Sequence, residues 1–364
     1  MESLVDEALS EKDKEAAQKG YKDAETDEEL RDVLESLRTK IYIVGLGGAG
    51  CNTIDRVSEE GIHGAQLIAG NTDAQDLLTI RANRKVLMGR NLTKGLGAGA
   101  KPEVGEKAAQ ESKEKYEELL SDGDIVFLTC GLGGGTGTGS VETVARIAKD
   151  AGALTIAVLT QPFSAEGKSR MKNARWGMKR IRNVADTVIL IPNDKLLELV
   201  PRLPLKQAFK VADEVLMKSI KGMTEIITKP GLVNLDYNDL RTIMEGAGEA
   251  MIGMGESDAG GDKRALEAIE GAINSPLLDV DISGASGVLI NVTGPQDMSV
   301  HEAEMVAEEV EKKAGEGANI IWGCSVDPTL EDKLKVMIVA TGVKSKQIIS
   351  TPEEMRKEGI KEVS

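Results

Sequence analysis

The chain has 364 residues, which is longer than one hydrophobic core usually supports and suits two domains of ordinary size. Its formal net charge of −15 argues against nucleic acid and anionic lipid as direct partners, because both favour clusters of Lys and Arg. Its three cysteines are far apart and lack CxxC spacing, so neither a disulfide framework nor a zinc site is indicated.

The N-terminal segment, residues 1–40, is acidic and rich in Lys, and its apolar residues are too sparse for a core. It predicts an appended acidic arm that is helical or partly disordered. The segment is not an apolar signal sequence, and no stretch of the chain approaches the ~20 apolar residues of a membrane span. We therefore expect a cytoplasmic protein without direct membrane insertion.

From Ile41 to residue 204, short apolar strands alternate with amphipathic segments. The strands are predicted at 41–45, 65–70, 124–130, 153–160 and 187–191, and the main helices at 102–120, 140–151 and 169–183. Repeated strand–helix units of this kind predict an α/β domain with a doubly wound parallel sheet.

A long central helix is predicted over 205–228, where apolar residues keep a spacing of three to four positions until Pro230 and Gly231 stop it. Residues 229–343 then predict a smaller α+β domain. Its strands are expected near 250–255, 287–293, 319–326 and 334–342, and its helices at 263–274 and 299–314. Residues 344–364 read as a short polar tail.

The first glycine-rich loop follows the first strand. Gly45, Gly47 and Gly50 satisfy GxGxxG between a strand and a helix, and Asp73 follows the second strand. Taken alone, this pattern fits a dinucleotide-binding turn and hence a nicotinamide enzyme. It also fits a plain tight turn, because glycine tolerates positive φ.

A second glycine-rich loop, residues 131–140, decides against both readings. It interleaves glycines with Thr136 and Thr138 between an apolar strand and a helix. A concave run of backbone N–H groups ending at a helix N-terminus suits a triphosphate. No GxxxxGK[ST] motif occurs, so the chain is not a P-loop protein.

Within this loop, residues 133–139 read GGGTGTG and resemble the signature loop of the tubulin superfamily in its FtsZ form, here archaeal-like. The resemblance covers about residues 41–343. It implies a cytoskeletal GTPase that polymerises head to tail into the filament or ring of cell division, located at the division site. It also implies GTP and GDP as ligands, with Mg²⁺.

The resemblance assigns the phosphates to four loops. Ala49 and Cys51 stand where the family often has glycine, but both side chains are small. The implied residues are Gly47, Gly48, Ala49, Gly50, Cys51 and Asn52 in the first loop, Asn71 and Asp73 in the second, Ala98, Gly99 and Ala100 in the third, and Gly134, Gly135, Thr136, Gly137, Thr138 and Gly139 in the signature loop.

For the nucleoside, the resemblance implies Glu166, Arg170 and Asn193 near the ribose and base. Phe209 and Asp213 are one turn apart on the long helix and share a face. The Phe209 ring can stack on a purine while the Asp213 carboxylate accepts from guanine N1–H and N2–H₂. Adenine presents no such donor pair, so GTP is expected over ATP.

An acidic loop follows the long helix. Asp236 and Asp239 stand where a helix begins and fit capping residues. Together with Asn234 they also resemble the synergy loop of the FtsZ branch. The resemblance implies that Asn234, Asp236 and Asp239 of one subunit complete the hydrolytic site of the next, since the nucleotide loops hold no obvious general base.

Three competing hypotheses are an auxiliary scaffold with weak hydrolysis, a tubulin-like plasmid-partition protein, and the nicotinamide oxidoreductase, which the second glycine-rich loop disfavours. The intact acidic loop favours the polymerising GTPase. The polar tail carries no apparent apolar peptide for the membrane-tethering division proteins that the resemblance implies as partners. Glu142, where the family commonly has small residues and proline, either lies near the phosphates or points outward.

Overall fold

The structure is a computed structural model that describes residues 38–199, 204–229, 231–233, 235–261, 263–278, 280–315 and 317–343. The polar tail, most of the acidic arm, and Asn234 lie outside these residues. The described residues from Lys40 onward belong to one compact unit.

Ten strands form one mixed sheet. In chain order they are β1 (Ile41–Leu46), β2 (Ala65–Asn71), β3 (Arg84–Leu87), β4 (Ile125–Gly131), β5 (Leu154–Gln161), β6 (Thr187–Pro192), β7 (Gly248–Ser257), β8 (Gly287–Gly294), β9 (Asn319–Val326) and β10 (Leu334–Thr341). Across the sheet their order is β3-β2-β1-β4-β5-β6-β7-β10-β8-β9.

The first six strands are parallel, as the alternating pattern predicts. Their order reverses between β1 and β4, which pair in register from Ile41 opposite Ile125. Ligands of doubly wound sheets bind at such a switch point, outside the carboxyl ends of the strands. The first glycine loop follows β1 and the signature loop follows β4, so the fold brings both loops to this point.

The sheet continues into the second half of the chain. β6 pairs in parallel with β7 over three residue pairs, from Thr187 opposite Gly248 to Ile189 opposite Ala250. β10 then pairs antiparallel with β7 and β8, and β8 pairs with β9 in parallel. The α/β fold class is confirmed, and the predicted boundary between two domains stays a prediction, since one sheet crosses it.

Twelve α-helices lie within the described residues. They are α1 (Gly47–Glu60), α2 (Ala74–Thr79), α3 (Arg90–Thr93), α4 (Pro102–Glu111), α5 (Lys113–Leu120), α6 (Thr136–Asp150), α7 (Lys168–Ile181), α8 (Asn193–Leu199), α9 (Leu205–Thr228), α10 (Tyr237–Met244), α11 (Lys263–Ile273) and α12 (Val300–Lys313).

Two of these helices differ from the sequence pattern. The predicted helix 102–120 is broken at Ser112 into α4 and α5. The helix predicted from residue 140 begins four residues earlier, at Thr136, so half of the signature loop is its first turn. The short elements α2, α3, α8 and β3 carry too few apolar positions for a periodic signal.

The core has two layers, one on each face of the sheet. Successive strand residues alternate between them: Ile43 and Phe127 pack on one side, Val44 and Leu128 on the other. The long helix α9 covers the first side with one apolar stripe, in which Ile220 is fully buried. In chain order it joins the first half of the sheet, which ends with β6, to the second half, which begins with β7.

Helix α4 lies directly on the signature helix α6, with glycines at the contact. A Cβ at Gly105 would lie 2.2 Å from the Gly135 carbonyl oxygen, and one at Gly139 would lie 2.0 Å from that of Pro102. Both distances are far below van der Waals contact. Only glycine allows the two backbones to approach this closely.

We therefore expect Gly105→Ala to lower the free energy of unfolding by about 1–3 kcal/mol, because the methyl group must push α4 away from α6. Gly271→Ala is the matched control, since Gly271 is exposed on α11 and its nearest neighbour is at ordinary contact distance. There, Ala should stabilise the helix by up to ~1 kcal/mol. Chemical denaturation measures both, and equal effects would contradict the packing argument.

Candidate functional site

A cavity of about 310 Å³ opens at the switch point of the sheet. It is bounded by the ends of β1, β4 and β5, by the two glycine loops, and by the first turns of α9. Its lining residues are Leu46, Gly47, Gly48, Ala49, Gly131, Leu132, Gly134, Gly135, Thr136, Gly137, Thr160, Pro162, Glu166, Arg170, Asn193, Phe209, Ala212 and Asp213.

The two glycine loops touch backbone to backbone at the floor of this cavity. Gly47 has a φ of +69°, and a Cβ there would lie 2.8 Å from the Gly137 nitrogen. A Cβ at Gly137 would lie 2.7 Å from the Leu46 carbonyl oxygen. Glycine is required on both sides of the contact, and it brings the starts of α1 and α6 together.

Gly48 and Ala49 of the first loop also line the cavity, whereas Gly50, Cys51 and Asn52 do not. A Cβ at Gly50 would lie 2.4 Å from the Thr129 carbonyl oxygen, so Gly50 serves the packing of α1 on β4. The Cys51 thiol is buried and donates to the Gly70 carbonyl oxygen at 3.5 Å. Burial, with a smaller effect of Asp76, raises its pKa to about 12. Asn52 is exposed and does not line the cavity.

The signature loop is shaped by its two threonines in different ways. Thr138 is buried, and its hydroxyl oxygen accepts a hydrogen bond of 2.9 Å from the Gly133 N–H. Thr136 lines the cavity, and its hydroxyl lies 2.6 Å from the hydroxyl of Thr72. Thr138 therefore closes the loop on itself, while Thr136 joins it to the second loop. Gly139 packs on α4 and does not line the cavity.

The second loop is organised by its own polar groups. The Asn71 amide oxygen accepts from the N–H groups of Thr72 and Asp73, and the Asp73 carboxylate caps α2. Neither side chain lines the cavity. Asp76, which the sequence reading missed, lies nearer: its Oδ2 is 3.7 Å from a Cβ built at Gly48. Burial and then Asp73 raise its pKa.

The third loop lies beside the signature loop. A Cβ at Gly135 would be 2.7 Å from the Lys101 nitrogen and 2.9 Å from the Ala98 Cβ. Ala98, Gly99 and Ala100 stand outside the lining of the cavity. The structure thus places the third loop against the signature loop, on the side away from the cavity.

The opposite wall carries the groups assigned to a nucleoside. Phe209 is 37% exposed and meets Phe163 edge to face, with ring centroids 5.2 Å apart. Asp213 is half-buried, and among the described residues none donates a hydrogen bond to its carboxylate. Burial raises its pKa to about 6, although the nearby Arg56 opposes the shift.

Asn193 and Glu166 complete this wall. The buried amide oxygen of Asn193 finds no hydrogen-bond partner within the described part of the chain, so it is left for a donor from a ligand. Glu166 is occupied: its carboxylate accepts 2.9 Å from the Phe163 N–H and pairs with Arg170 at 2.7 Å.

The acidic loop lies elsewhere. Asp236 caps α10 and accepts from the Asp239 N–H at 2.9 Å, while Asp239 accepts from the Asp236 N–H at 3.0 Å. The capping reading is therefore correct as a description of the local structure. One oxygen of each carboxylate remains outside this reciprocal pair. Neither residue lines the cavity of its own subunit.

Glu142 does not line the cavity. Its carboxylate pairs with Arg146 and Arg180. Burial raises the pKa of this carboxyl, but the two arginines outweigh burial and hold the pKa below its ordinary value. The sequence reading missed six lining residues: Leu46, Gly131, Leu132, Thr160, Pro162 and Ala212. Most lie at the carboxyl ends of strands, and the switch-point rule could have found them.

The described residues contain no cluster of three or more His, Cys, Asp or Glu that could hold a metal ion by itself. No helix among them is long and apolar enough to cross a membrane.

Comparisons with known families match most of the chain. Residues 40–201 match the model described as Tubulin/FtsZ family, GTPase domain. Residues 248–344 match the model of the FtsZ family, C-terminal domain. The two matches coincide with the two halves of the sheet.

Similar proteins cover nearly the whole length. Cell division protein FtsZ 1 of Archaeoglobus fulgidus is 54% identical over 353 residues, which are 96% of this chain and 95% of that protein. The Pyrococcus furiosus protein of the same name is 56% identical over 328 residues, or 90% and 87%.

Solved structures agree. An FtsZ dimer from M. jannaschii has a TM-score of 0.84 and 53% identity, covering 87% of this chain and 92% of that one. CetZ2 from Haloferax volcanii, a GTPgS-bound protofilament, has a TM-score of 0.74 at 18% identity, covering 88% and 100%, and shows the fold alone.

The buried carboxylate in the cavity gives a first test of the site. Asp213 has a pKa of about 6 in the folded protein against an ordinary 3.8, so the folded state binds its proton more tightly than the unfolded state. The free energy of unfolding should therefore fall as pH rises from about 4 to 6, and the full penalty should be present at pH 7.

Asp213→Asn should remove this penalty and raise the free energy of unfolding of the ligand-free protein by ~1–3 kcal/mol at pH 7, with the gain shrinking toward pH 4. Denaturant titrations at several pH values measure it. Glu118→Gln is the matched control, because Glu118 is exposed on α5 and lies outside the cavity. Parallel pH profiles for wild type and Asp213→Asn would contradict the assignment.

Proposed function

The chain belongs to the tubulin/FtsZ family of GTPases, and from this premise we propose that GTP bound in the cavity is hydrolysed at the contact between two subunits of a head-to-tail filament. The chain is a cytoskeletal GTPase of the cell-division type. The observation that carries the guanine assignment is the wall of Phe209 and Asp213, one aromatic face beside one unpartnered carboxylate.

The phosphates fit the glycine loops. Gly134 has no atom within 4 Å of a Cβ position, so the loop backbone is open to a ligand there. The N-termini of α1 and α6 converge on the same floor. Their free N–H groups and helix dipoles favour negative charge, which offsets the acidic character of the whole chain at this one place.

The guanine base fits the wall formed by the start of α9. Half-exposed Phe209 offers a face for stacking, already held edge to face by Phe163. Asp213, partly desolvated, accepts from a donor pair more strongly than an exposed carboxylate would. The unpaired amide oxygen of Asn193 accepts one further donor of the nucleoside. Together, the ring face of Phe209 and the two acceptors, Asp213 and Asn193, favour GTP and GDP over ATP.

A Mg²⁺ ion fits as a companion of the phosphates. Mg²⁺ commonly takes one or two carboxylates and completes its shell with phosphate oxygens and water. Asp76 is the carboxylate closest to Gly48, and Asp73 stands beside it on the second loop. When bound, the ion would neutralise charge that develops on the phosphates.

The cavity lacks a free base for the attacking water. Its lining carboxylates are Glu166 and Asp213; Glu166 is occupied by Arg170, and Asp213 stands at the base wall. Asp236 and Asp239 have one oxygen each outside the capping pair. They stand beyond the far end of α9, whose 24 residues span about 36 Å. They can therefore act only on the nucleotide of a neighbouring subunit.

In the filament, the acidic loop of one subunit would cover the terminal phosphate bound by the next. Asp236 and Asp239, with Asn234, would polarise the attacking water, as general bases do. Two different surfaces meet in this contact, the acidic loop of one subunit and the cavity of the next. The contact is therefore heterologous and repeats into an open filament. A scaffold that barely hydrolyses GTP is not favoured, since both aspartates are present and are held by their reciprocal capping hydrogen bonds.

The partners of the filament follow from the relatives' names. Two similar proteins are named for cell division, which supports a place at the division site. We include membrane-tethering division proteins among the proposed partners. The acidic arm, which we propose as their binding segment, lies largely outside the described residues.

The guanine assignment predicts that GTP and GDP compete for the site far better than ATP. Asp213→Ala should weaken GTP binding about 10- to 100-fold, because the donors of guanine lose a charged acceptor. Glu214→Ala, one residue away on the same helix, should bind as wild type does. Competition with a fluorescent guanine nucleotide measures both. ATP competing as well as GDP would refute the assignment.

The shared-site model predicts that Asp236→Asn and Asp239→Asn bind GTP normally yet lose hydrolysis by ~100-fold or more. Asparagine caps a helix as well as aspartate does, so Asp236→Asn should keep its stability. Ser299→Ala, which removes the cap of α12, should cost about 1 kcal/mol but leave hydrolysis unchanged. Phosphate release and thermal melting give the two readouts.

The same model predicts that wild-type turnover per molecule rises with protein concentration. Asp239→Asn mixed with a cavity variant such as Asp213→Ala should recover part of the activity, because each supplies the half that the other lacks. Turnover independent of concentration, or full activity of either aspartate variant, would rule out catalysis between subunits.

A further inference from the structure

Helix α7 lies across two of the loops assigned to the phosphates. The side-chain amide of Asn173, in the middle of this helix, donates to the Ala100 carbonyl oxygen at 3.1 Å and to the Gly133 carbonyl oxygen at 3.2 Å. One amide group thus joins the end of the third loop to the start of the signature loop. Neither the glycine motifs nor the cavity lining points to this residue.

The carbonyl that Asn173 holds belongs to a strained residue. Ala100 has a φ of +57°, in the left-handed region that favours glycine. The glycines before it, Gly97 and Gly99, adopt positive φ at little cost, but Ala100 carries a Cβ. Strained backbone at a functional site persists where surrounding groups hold it in place. Asn173 is such a group.

The two loops depend on Asn173 to different degrees. The signature loop has a second anchor, because the Gly133 N–H donates to the Thr138 hydroxyl. The start of the third loop is held by the Gly97 N–H, which donates to the Thr72 carbonyl oxygen. At its far end, Asn173 supplies the side-chain bond to Ala100. Loss of this bond should therefore loosen the third loop more than the signature loop.

The C-terminal part of α7 is held by an ion-pair network. Arg180, two turns beyond Asn173 on the same face, pairs with Glu106 of α4 at 2.6 Å and with Glu142 of α6 at 2.5 Å. Its guanidinium also stacks on the Trp176 ring at 4.6 Å. Since α4 follows the third loop and α6 follows the signature loop, α7 is bonded both to the two loops and to the helices that follow them.

We infer that α7 is a clamp that sets the third loop against the signature loop, and that Asn173 is its positioning residue for the terminal phosphate of GTP. This inference rests on the proposed function, in which the phosphates bind at the signature loop, and it places the third loop, which packs against Gly135, at the terminal phosphate. With the clamp in place, the backbone N–H groups of residues 98–100 are held in position to donate to the phosphate. Without it, Ala100 relaxes and those groups move away.

The test uses the full chain and the isosteric change Asn173→Asp, which keeps the shape but removes the donor. GTP and GDP affinities are measured by equilibrium titration at protein concentrations below assembly. GTP affinity should fall about tenfold while GDP affinity changes less than about twofold, since GDP lacks the phosphate in question. Asn183→Asp, an exposed position just beyond α7, controls for the added charge.

A second variant separates positioning from general loss of structure. Ala100→Gly relieves the strain that Asn173 holds, because glycine adopts the left-handed conformation freely. Added to Asn173→Asp, it should restore most of the lost GTP affinity. A merely structural role for Asn173 would give no such rescue. Asn173→Ser replaces the first variant if Asn173→Asp does not fold.

Three results would overturn the clamp: an unchanged ratio of GTP to GDP affinity in Asn173→Asp, an equal fall of both affinities, or no rescue by Ala100→Gly. Each of these leaves guanine-nucleotide binding by the wild type intact, so the proposed function would stand. A wild type that binds no guanine nucleotide would instead overturn both, because the clamp acts only on a bound terminal phosphate.

Discussion

The structure depends on one close contact between backbones, where Gly47 and Gly137 meet at the floor of the cavity. Any side chain at either position would force the starts of α1 and α6 apart. With glycine there, two helix N-termini point at one small volume, and a chain of net charge −15 can still gather a polyanion. The glycines at the contact of α4 with α6 likewise allow two backbones to approach closely, and this contact positions the third loop, which precedes α4.

A second constraint is separation. The nucleoside wall stands on the first turns of α9, and the acidic loop follows its last turn. A rigid helix keeps these two groups apart within a subunit, so under the proposed function a single chain would hydrolyse little GTP. The proposed hydrolysis would then depend on assembly, because only a neighbouring subunit can bring the carboxylates to the phosphates.

The sequence was informative where chemistry depends on local spacing. Glycine interleaved with threonine predicted a loop that lines the cavity, and the one-turn spacing of Phe209 and Asp213 predicted a shared wall. It was uninformative where a role depends on distant segments. Thr138 shapes the loop rather than lining the cavity, and Asn173 acts on two carbonyls that only the tertiary fold brings together. Asp236 fits both a cap and a catalytic group, since one carboxylate has two oxygens.

The junction of β6 with β7 has a mechanical consequence. These strands share three residue pairs, whereas β8 and β9 share eight, so the sheet is narrowest where its two halves meet. A filament under tension would pass its load through this junction in every subunit. Buried Asp186, which pairs with Lys149 and accepts from the Gly246 N–H, reinforces it from the side. Of the strand pairings in this sheet, the seam between β6 and β7 therefore offers the fewest backbone hydrogen bonds against separation of the two halves.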